Sequence, residues 1–407
     1  MINRLLHSEA TWRYIDAYLP RVFGLCFHTY LLRQYGGELY ALPGWMLGIL
    51  GLCMALIPDP HSYILVRAHG ASARRLLGLA IPSLILKAAT CFPIVFAAVL
   101  IFPTAHMVTA HESAWPAVLA ATVLYGSVEF FWAVLGTISL ATGGMKRVAL
   151  WGMAARLGAI VAIAIAWIFG KSSMTGDLFL ASIPILIMWI FLSPWRFAPS
   201  QSWRFFVFSL RTYAGWNQGI ALATNMLFQM PLLMLGMYPA AGAATVGHLA
   251  YISRILQAVL QPFQILQSIV IRDVAQATRG VARLDASRLQ WVFRAGSIGV
   301  MVCGSAAVGA AVMEGSLSRS PSLLALAMVA GVAVTIWNRY ELSKVLATSR
   351  LRELFMIGYL PVVSITLLMA VLAMKFWGLP GLAPIIFIGW VGLSVSWKWV
   401  DLKLRIR

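Results

Sequence analysis

The chain has 407 residues, of which 61% are hydrophobic and 11% charged, and its formal net charge is +18. Its mean hydropathy is +0.84, whereas a soluble domain typically has about 25% charged residues. This composition excludes a soluble globular protein. The positive charge does not indicate nucleic-acid binding, because the basic residues are spread between apolar segments instead of being clustered on a polar one.

Apolar runs separated by turn residues and charges predict an all-α polytopic membrane protein with about twelve transmembrane helices. About 20 apolar residues span a bilayer as a helix, so the loops between twelve such spans must be short. The N-terminal stretch lacks the apolar core of a cleavable signal peptide, and we expect the first span to act as the insertion signal. The predicted spans are 12–33, 40–58, 79–102, 116–141, 147–169, 178–195, 212–237, 243–271, 290–313, 322–342, 353–374 and 379–399.

The loops on the two sides of the predicted helices differ in their lysine and arginine content. With the N-terminus placed in the cytoplasm, most of the 31 basic residues fall in cytoplasmic segments. The opposite loops contain only Arg33, Lys171, Arg319 and Lys375. By the positive-inside rule, this bias predicts that both termini are cytoplasmic and that most of the charge faces anionic lipid headgroups.

A basic, aromatic segment marks the midpoint of the chain. Residues 196–211 combine aromatic residues with arginines and predict an amphipathic cytoplasmic linker at the membrane surface. This linker separates residues 1–195 from residues 212–407, and each part contains six predicted spans. We therefore expect two six-helix bundles around a central cavity.

Four basic residues lie within predicted spans, where a charge costs about 3 kcal/mol or more unless it faces a polar interior. Lys87 is close enough to the cytoplasmic end to extend its amine to the interface. Arg156 could instead form structural hydrogen bonds. The four residues are Arg21, Lys87, Arg156 and Arg254.

Polar side chains recur every three or four residues on the eighth span and therefore share one helical face. Because lipid does not tolerate such a stripe, it must line a water-filled cavity or pair with another helix. Polar positions also occur on the first span, where Pro20 predicts a kink, and on the seventh, where hydrogen bonding between helices is the alternative. The candidate cavity-lining residues are Tyr14, Tyr18, His28, Asn217, Asn225, His248, Tyr251, Gln257, Gln261 and Gln264.

Acidic residues are scarce in the spans. Glu129 is the one clearly central carboxylate, whereas Asp16 lies near the cytoplasmic boundary and could pair with Arg13. Glu129 could form a salt bridge with an intramembrane arginine, or it could bind a proton or another ion. If transport is coupled to protons, we expect Glu129, His28 or His248 to take part. The excess of cations predicts a cavity that attracts anions, and arginine matches phosphate oxygens with paired donors.

No pattern in the sequence indicates a metal site, a nucleotide site or another cofactor. The four cysteines fall in apolar segments without metal-ligand spacing and are interpreted as free, buried thiols. His106, His111 and Glu112 could suggest a metal site, but their spacing is generic. We therefore expect them to lie in a solvated loop. Without a nucleotide-binding motif, we do not expect ATP hydrolysis by this chain. The cysteines are Cys26, Cys53, Cys91 and Cys303.

The stretch LLRQYGGELYALPGWMLGILGLCMALIPDPHSYILVR, residues 31–67, resembles the first hairpin of polysaccharide flippases. These proteins are the Wzx-type members of the MOP exporter superfamily. Arg33, Gly36 and Tyr40 fit the short turn that often follows their first span, and Ala41 replaces the usual second glycine.

The stretch VGHLAYISRILQAVLQPFQILQSIVIRDVAQAT, residues 246–278, is similar to the eighth span of the same group, although Asp273 stands where proline is frequent. The resemblance implies a multi-pass protein of the bacterial inner membrane that works by alternating access. Its implied substrate is an undecaprenyl-diphosphate-linked oligosaccharide, moved from the cytoplasmic to the periplasmic leaflet for exopolysaccharide, O-antigen or capsule biosynthesis. Implied partners are membrane lipids and a polysaccharide polymerase or export complex.

The resemblance also assigns roles to the four intramembrane cations. Arg254 and Arg21 would contact the diphosphate, whereas Arg156 and Lys87 would widen the positive field. Three alternatives remain open: a small-molecule drug or cation antiporter of the same superfamily, a membrane enzyme of polysaccharide assembly, and a non-transporting scaffold in such a complex. An antiporter of cations would be expected to contain more intramembrane carboxylates.

Overall fold

The computed structural model describes residues 9–56, 73–101, 105–108, 111, 114–142, 144–192, 203–204, 207, 213–238, 242–277, 286–313, 315, 317–347 and 351–405. Within these residues the regular structure is helical throughout. The helices are α1 Glu9–Leu56, α2 Ala73–Ile101, α3 Ala105–Val108, α4 Trp115–Thr142, α5 Met145–Ile168, α6 Met174–Leu192, α7 Tyr213–Gly236, α8 Ala243–Ala277, α9 Ala286–Met313, α10 Arg319–Trp337, α11 Arg339–Ala347, α12 Leu351–Glu353 and α13 Leu360–Arg405, with a π-helical turn, Leu354–Tyr359, between the last two.

Helix α1 is a hairpin of two helices that reverses at Gly36. Gly36 has φ 79° and ψ 167°, a conformation that residues with a Cβ atom rarely adopt. On the two sides of it, Tyr40 Oη lies 3.0 Å from His28 Nδ1. In a straight helix, residues twelve apart would be separated by about 18 Å along the axis. The hydrogen bond therefore requires the chain to fold back at Gly36, within the turn expected between residues 33 and 40.

Helix α13 reverses in the same way at Gly378, which has φ 63°. Gly389 lies against Thr366, and a Cβ atom on Gly389 would be 2.6 Å from Thr366 Cγ2. Gly358 likewise faces Ser396. Both pairs are centred on residues 377–378, as expected for two antiparallel helices joined at that point.

In the described part of the chain, ten helices are long and apolar enough to cross a membrane. Two of these candidates, Tyr18–Leu56 and Leu351–Val400, contain the reversals at Gly36 and Gly378. Dividing each of them at its glycine gives twelve membrane-crossing segments. The predicted all-α polytopic membrane fold is confirmed.

One predicted boundary is wrong. The tenth span was expected to run from 322 to 342, but α10 ends at Trp337 and a separate helix begins at Arg339. The backbone N–H of Asn338 donates to Val334 O, 3.2 Å away, and closes the end of α10. Its side-chain amide also donates to Val334 O, at 3.0 Å.

The chain forms two compact units, 1–218 and 219–407. In the first, α1 packs against α2, α4 and α5, and both α4 and α5 pack against α6. In the second, α10 packs against α9 and α13, and α8 packs against α11. The boundary between the units falls within α7. Most of the predicted linker, 196–211, lies outside the described residues, so its amphipathic surface helix stays a prediction.

Glycines allow close helix contacts inside the second unit. A Cβ atom on Gly331 of α10 would overlap the ring of Trp390 on α13, which is 2% exposed. On the other side of α10, Val329 contacts Gly304 of α9. Small residues at helix interfaces let backbones approach in membranes, where packing is a main source of helix association.

Candidate functional site

A buried ion pair joins α4 and α5 within the first unit. Arg156 Nη2 donates to Glu129 Oε2 over 2.7 Å, and the two side chains are 3% and 23% exposed. Arg156 Nη1 also donates to the carbonyl oxygen of Gly152, 3.2 Å away on the preceding turn. Glu129 therefore has the salt bridge that was one of its two predicted roles, and Arg156 has the structural hydrogen bonding that was the alternative for it.

Trp132 connects this pair to the N-terminal part of α1. Its Nε1 donates to Asp16 Oδ1 at 3.0 Å. The guanidinium carbon of Arg156 lies 5.5 Å from the centre of the Trp132 ring, within cation–π range. Asp16 is thus held by Trp132. Its predicted pairing with Arg13 involves a side chain that lies outside the described residues.

Two glycines leave room for this arrangement. A Cβ atom on Gly136 would be 2.5 Å from Asp16 Oδ2, and one on Gly152 would be 2.7 Å from Trp132 Cζ2. Real Cβ atoms do not approach other atoms so closely. Any residue larger than glycine at position 136 or 152 would therefore need the space that the Asp16 carboxylate or the Trp132 indole occupies.

The cluster is close to electrically neutral. Arg21 on α1 is exposed and interacts electrostatically with Glu129 and Arg156. Asp16 interacts with the same two residues. The Glu129–Arg156 pair therefore interacts with one further arginine, Arg21, and with one further carboxylate, Asp16. In the first unit, the predicted excess of cations is largely compensated by acidic partners.

Lys87 is more deeply buried than expected. Its side chain is among the largest that are fully buried, the residue is 1% exposed, and Nζ lies 4.0 Å from the centre of the Phe130 ring. It therefore does not extend to the membrane interface as the sequence analysis allowed. Contact between Lys87 or Arg156, which is 2% exposed, and a substrate would require these side chains to move.

The other predicted residues of the first span separate into two groups. Tyr18 is 43% exposed, but His28 is only 5% exposed. The His28 ring lies between Tyr40, with which it shares a hydrogen bond, and Tyr125, at a centroid distance of 5.7 Å. His28 is therefore packed in the unit and does not line an open surface in this structure. The side chain of Tyr14 lies outside the described residues.

On α8, the middle of the polar stripe is partly accessible. Arg254 is half-buried, and its Nη1 donates to Gln257 Oε1 at 2.8 Å. His248 Nδ1 lies 2.8 Å from the carbonyl oxygen of Ala244 in its own helix. Tyr251 is half-buried and Gln264 is exposed, as is suitable for a helix face in contact with water. Asn225 on α7 is also half-buried, whereas the side chains of Asn217 and Gln261 lie outside the described residues.

The far end of α8 shows the other predicted behaviour, pairing between helices. Arg339 Nε donates to Gln267 Oε1 at 2.7 Å, and Arg339 is 8% exposed. Burial lowers the pKa of Arg339 to about 10. The positive-inside assignment counts this arginine among the basic residues of the cytoplasmic segments, and in the structure it begins α11, which packs against α8.

Sequence analysis missed a second polar cluster in the first unit. The hydroxyl groups of Tyr30, Tyr35 and Ser172 all donate to Asp177 Oδ2, at 2.8, 2.7 and 3.0 Å. Asp177 is fully buried in the first turn of α6. The only local signal was an acidic residue at a helix start, which is also common at ordinary helix N-termini.

The potential metal ligands among the described His, Cys, Asp and Glu residues are scattered or at most paired, and a groove lies at the start of α5. In this part of the chain, no group of three His, Cys, Asp or Glu side chains could hold a metal ion. Cys53 and Cys91 are buried as expected, whereas Cys26 and Cys303 are exposed, and all four are free thiols. A groove of about 590 Å³ at the start of α5 is lined by Lys146, Arg147 and apolar neighbours, and by none of the predicted site residues.

Comparison with known proteins places the fold. No protein-family model and no curated protein matches the chain. Solved structures do match. One is a multidrug resistance MATE family transporter of the MOP superfamily in an inward-facing conformation. Its TM-score is 0.61 at 16% sequence identity, and the match covers 98% of this chain and 99% of that transporter. The eukaryotic MATE transporter AtDTX14 has a TM-score of 0.63 at 11% sequence identity, and the match covers 98% of this chain and 95% of AtDTX14. At these identities the likeness concerns the fold, which this chain shares with MATE transporters of the MOP superfamily.

Proposed function

We propose that the protein is a membrane transporter, not an enzyme, and that it translocates an anionic amphiphile. The substrate we favour is an oligosaccharide linked by diphosphate to undecaprenol, moved from the cytoplasmic to the periplasmic leaflet of the bacterial inner membrane. The fold shared with MATE transporters supports transport. The substrate class rests on the arginines that stay accessible within membrane helices.

The observation that carries this substrate class is the position of Arg254. It lies within the membrane-spanning part of α8, Ala243–Gln264, and the residue is half-buried, with its Nη2 atom enclosed and the rest of the side chain partly open. An arginine facing lipid would be costly, so its open side is expected to face water or a polar ligand. The hydrogen bond to Gln257 orients the guanidinium group. A planar guanidinium can then bind phosphate oxygens through paired donors. Exposed Arg21 on α1 offers a second such group.

The test is transfer of a fluorescent undecaprenyl-diphosphate oligosaccharide between the leaflets of proteoliposomes. A hydrogen bond to a charged group contributes about 1.5–3 kcal/mol, so Arg254→Ala should slow transfer by roughly 10- to 100-fold. Arg254→Lys should lie between this variant and the wild type, because it keeps the charge but loses the paired donors. Arg294→Ala is the matched control, since Arg294 is an exposed arginine of the same unit that lies over Trp337.

Equal transfer by the Arg254→Ala variant and the wild type would contradict the proposed diphosphate contact. If the wild type moves no lipid with several different oligosaccharides, the substrate class itself is contradicted. Addition of the polymerase or export proteins of a polysaccharide pathway, the partners we expect, belongs in the same assay.

A small-molecule antiporter is the second candidate. One of the MATE structures with this fold is a multidrug resistance transporter. The charge cluster also favours it, because Asp16 and Glu129 offset two of the intramembrane cations on which an anionic substrate depends. Glu129 stays the proposed coupling residue for this activity. Efflux of a cationic dye under an imposed pH gradient, lost in Glu129→Gln and retained in Arg254→Ala, would favour the antiporter over the flippase.

A further inference from the structure

Three sulfur atoms meet between α1 and α2 inside the first unit. Cys91 Sγ lies 3.8 Å from Met54 Sδ. The thiols of Cys53 and Cys91 share a hydrogen bond with each other. Cys53 and Met54 belong to the second arm of the α1 hairpin and Cys91 belongs to α2, so two different helices supply the sulfurs. We call Cys53, Met54 and Cys91 the sulfur cluster.

The sulfur cluster is enclosed by the protein. Cys53 is 2% exposed, Met54 is 9% exposed and Cys91 is 0% exposed. All three residues lie within helices that are apolar enough to cross a membrane. Buried thiols and thioethers often serve only as packing groups, so the distances between the sulfurs decide whether they can also bind an ion.

The spacing of the sulfurs is that of ligands around a single ion. A metal–thiolate bond of about 2.3 Å places the three sulfurs of a planar trigonal site about 4 Å apart. The distance of 3.8 Å between Cys91 Sγ and Met54 Sδ is close to this value. Because methionine has three rotatable side-chain bonds and a polarisable sulfur, Met54 can adjust its sulfur to an ion held by the two thiols.

The chemistry of these donors selects copper(I). Thiolate and thioether sulfurs prefer soft monovalent copper, whereas Ca²⁺ and Mg²⁺ take oxygen ligands. Structural zinc takes four ligands from Cys, His, Asp and Glu, and the described part of the chain contains no group of three such side chains. Two cysteines and a methionine therefore suit copper(I) better than zinc.

Lys87 supplies the charge that such a site needs. Binding of copper(I) by two thiols releases both thiol protons and leaves a complex of charge −1. A buried negative charge is costly unless a cation lies nearby. Lys87 precedes Cys91 by four residues, so it lies on the same face of α2, and it interacts electrostatically with Cys91. Because Lys87 is 1% exposed, its positive charge offsets that of the complex inside the unit.

The sulfur cluster lies near the end of its arm of α1. Met54 is the most exposed of the three residues, and α1 ends two residues later at Leu56, which is 51% exposed. In the predicted orientation, this end of the second span is cytoplasmic. The cytosol keeps thiols reduced, which is the state that copper(I) binding requires. An ion can therefore reach Met54 first and then the two thiols.

From this arrangement we propose that the sulfur cluster binds one copper(I) ion between α1 and α2, with Lys87 offsetting the charge of the complex. The bound ion ties the second arm of α1 to α2, because its ligands come from both helices. The proposal goes beyond the proposed function, since it needs neither the transported substrate nor the accessible arginines.

The test is a competition for copper(I) between the purified full chain and a chromophoric copper(I) chelator, with ascorbate as the reductant. The starting variant is Cys26→Ser/Cys303→Ser, which removes the two exposed thiols and leaves the sulfur cluster intact. It should retain one copper(I) per chain, and X-ray absorption should show sulfur ligands only. Adding Cys53→Ala or Cys91→Ala should abolish this binding. Zinc offered at the same concentration should be retained less.

Two milder variants keep the test decisive if the alanine variants do not fold. Met54→Leu nearly conserves the side-chain volume. It should reduce the sulfur ligands from three to two and weaken copper(I) binding at least about 10-fold. Lys87→Met removes the charge beside the ligands and should weaken binding by about 10- to 100-fold, as the loss of a group that supports metal ligands typically does.

Copper(I) should also raise the Tm of the starting variant by roughly 5–10 °C at a free concentration of about 100 times its Kd. A starting variant that retains no copper(I), or retains as much after Cys91→Ala, would overturn the proposal. So would tighter binding of zinc, unchanged copper(I) affinity in Met54→Leu, or a disulfide between Cys53 and Cys91 in protein purified under reducing conditions. Because no measurement needs the substrate, failure here is distinguishable from failure of the proposed transport function.

Discussion

Removing one member of the Glu129–Arg156 ion pair should destabilise the protein more than removing both. Glu129→Gln keeps the shape of the side chain but leaves the Arg156 charge buried without its carboxylate. With an N–O distance of 2.7 Å and an arginine side chain 3% exposed, the expected loss is about 3 kcal/mol, at the low end for a broken buried pair because Glu129 is partly exposed. For a unit of 218 residues, this corresponds to a fall in Tm of about 6–12 °C.

The assay is thermal unfolding of purified protein in lipid nanodiscs, followed by circular dichroism at one fixed heating rate. The variants are Glu129→Gln, Arg156→Gln and the double variant. Because the double variant leaves no isolated charge, it should unfold closer to the wild type than either single variant does. Single variants with wild-type Tm, or a double variant whose loss equals the sum of the two, would refute the interpretation of this pair as a buried, mutually dependent contact.

Three further outcomes are expected. Gly152→Ala should cost about 1–3 kcal/mol, since its Cβ would meet the buried Trp132 ring 2.7 Å away. Gly299→Ala, with nothing within 4 Å of its Cβ, should be neutral or stabilising by up to about 1 kcal/mol, and equal Tm changes in the two variants would contradict the packing argument. Nε2 of His111 contacts Leu39 O at 2.9 Å, and burial lowers the pKa of this histidine. The unfolded chain therefore binds a proton at His111 more readily than the folded chain does. The stability of the fold should then fall as the pH drops below about 6.5. His111→Gln should flatten the dependence of Tm on pH in that range, and an unchanged profile would show that His111 is not responsible.

The membrane spans could be predicted because their signal is local. A run of apolar residues of the right length requires a helix in lipid whatever it contacts, and the turn expected between residues 33 and 40 coincides with the reversal at Gly36. The ion pair between Glu129 on α4 and Arg156 on α5 was partly predictable, since an intramembrane carboxylate needs a nearby cation. Periodicity alone could not distinguish Arg156 from Arg254 or Lys87 as that cation.

The remaining contacts depend on which helices become neighbours. Tyr30 and Asp177 are 147 residues apart along the chain, and nothing around either residue indicates the other. The burial of Arg339 could not be predicted for a similar reason, because a basic residue after an apolar run usually marks a solvated loop. Only the packing of α11 against α8 shows that Gln267 accepts its Nε–H. Substrate specificity is harder still, since it depends on accessible side chains and not on the fold.

The reversal at Gly378 also bears on how the chain enters the membrane during synthesis. Residues 376–382 contain no charge, and Lys375 is the one charged residue near the tip of the hairpin. Moving one lysine across the bilayer centre costs about 3 kcal/mol, which is small beside the gain from burying two apolar helices. The two arms of α13 can therefore insert together as a preformed hairpin, with no polar loop to be translocated first.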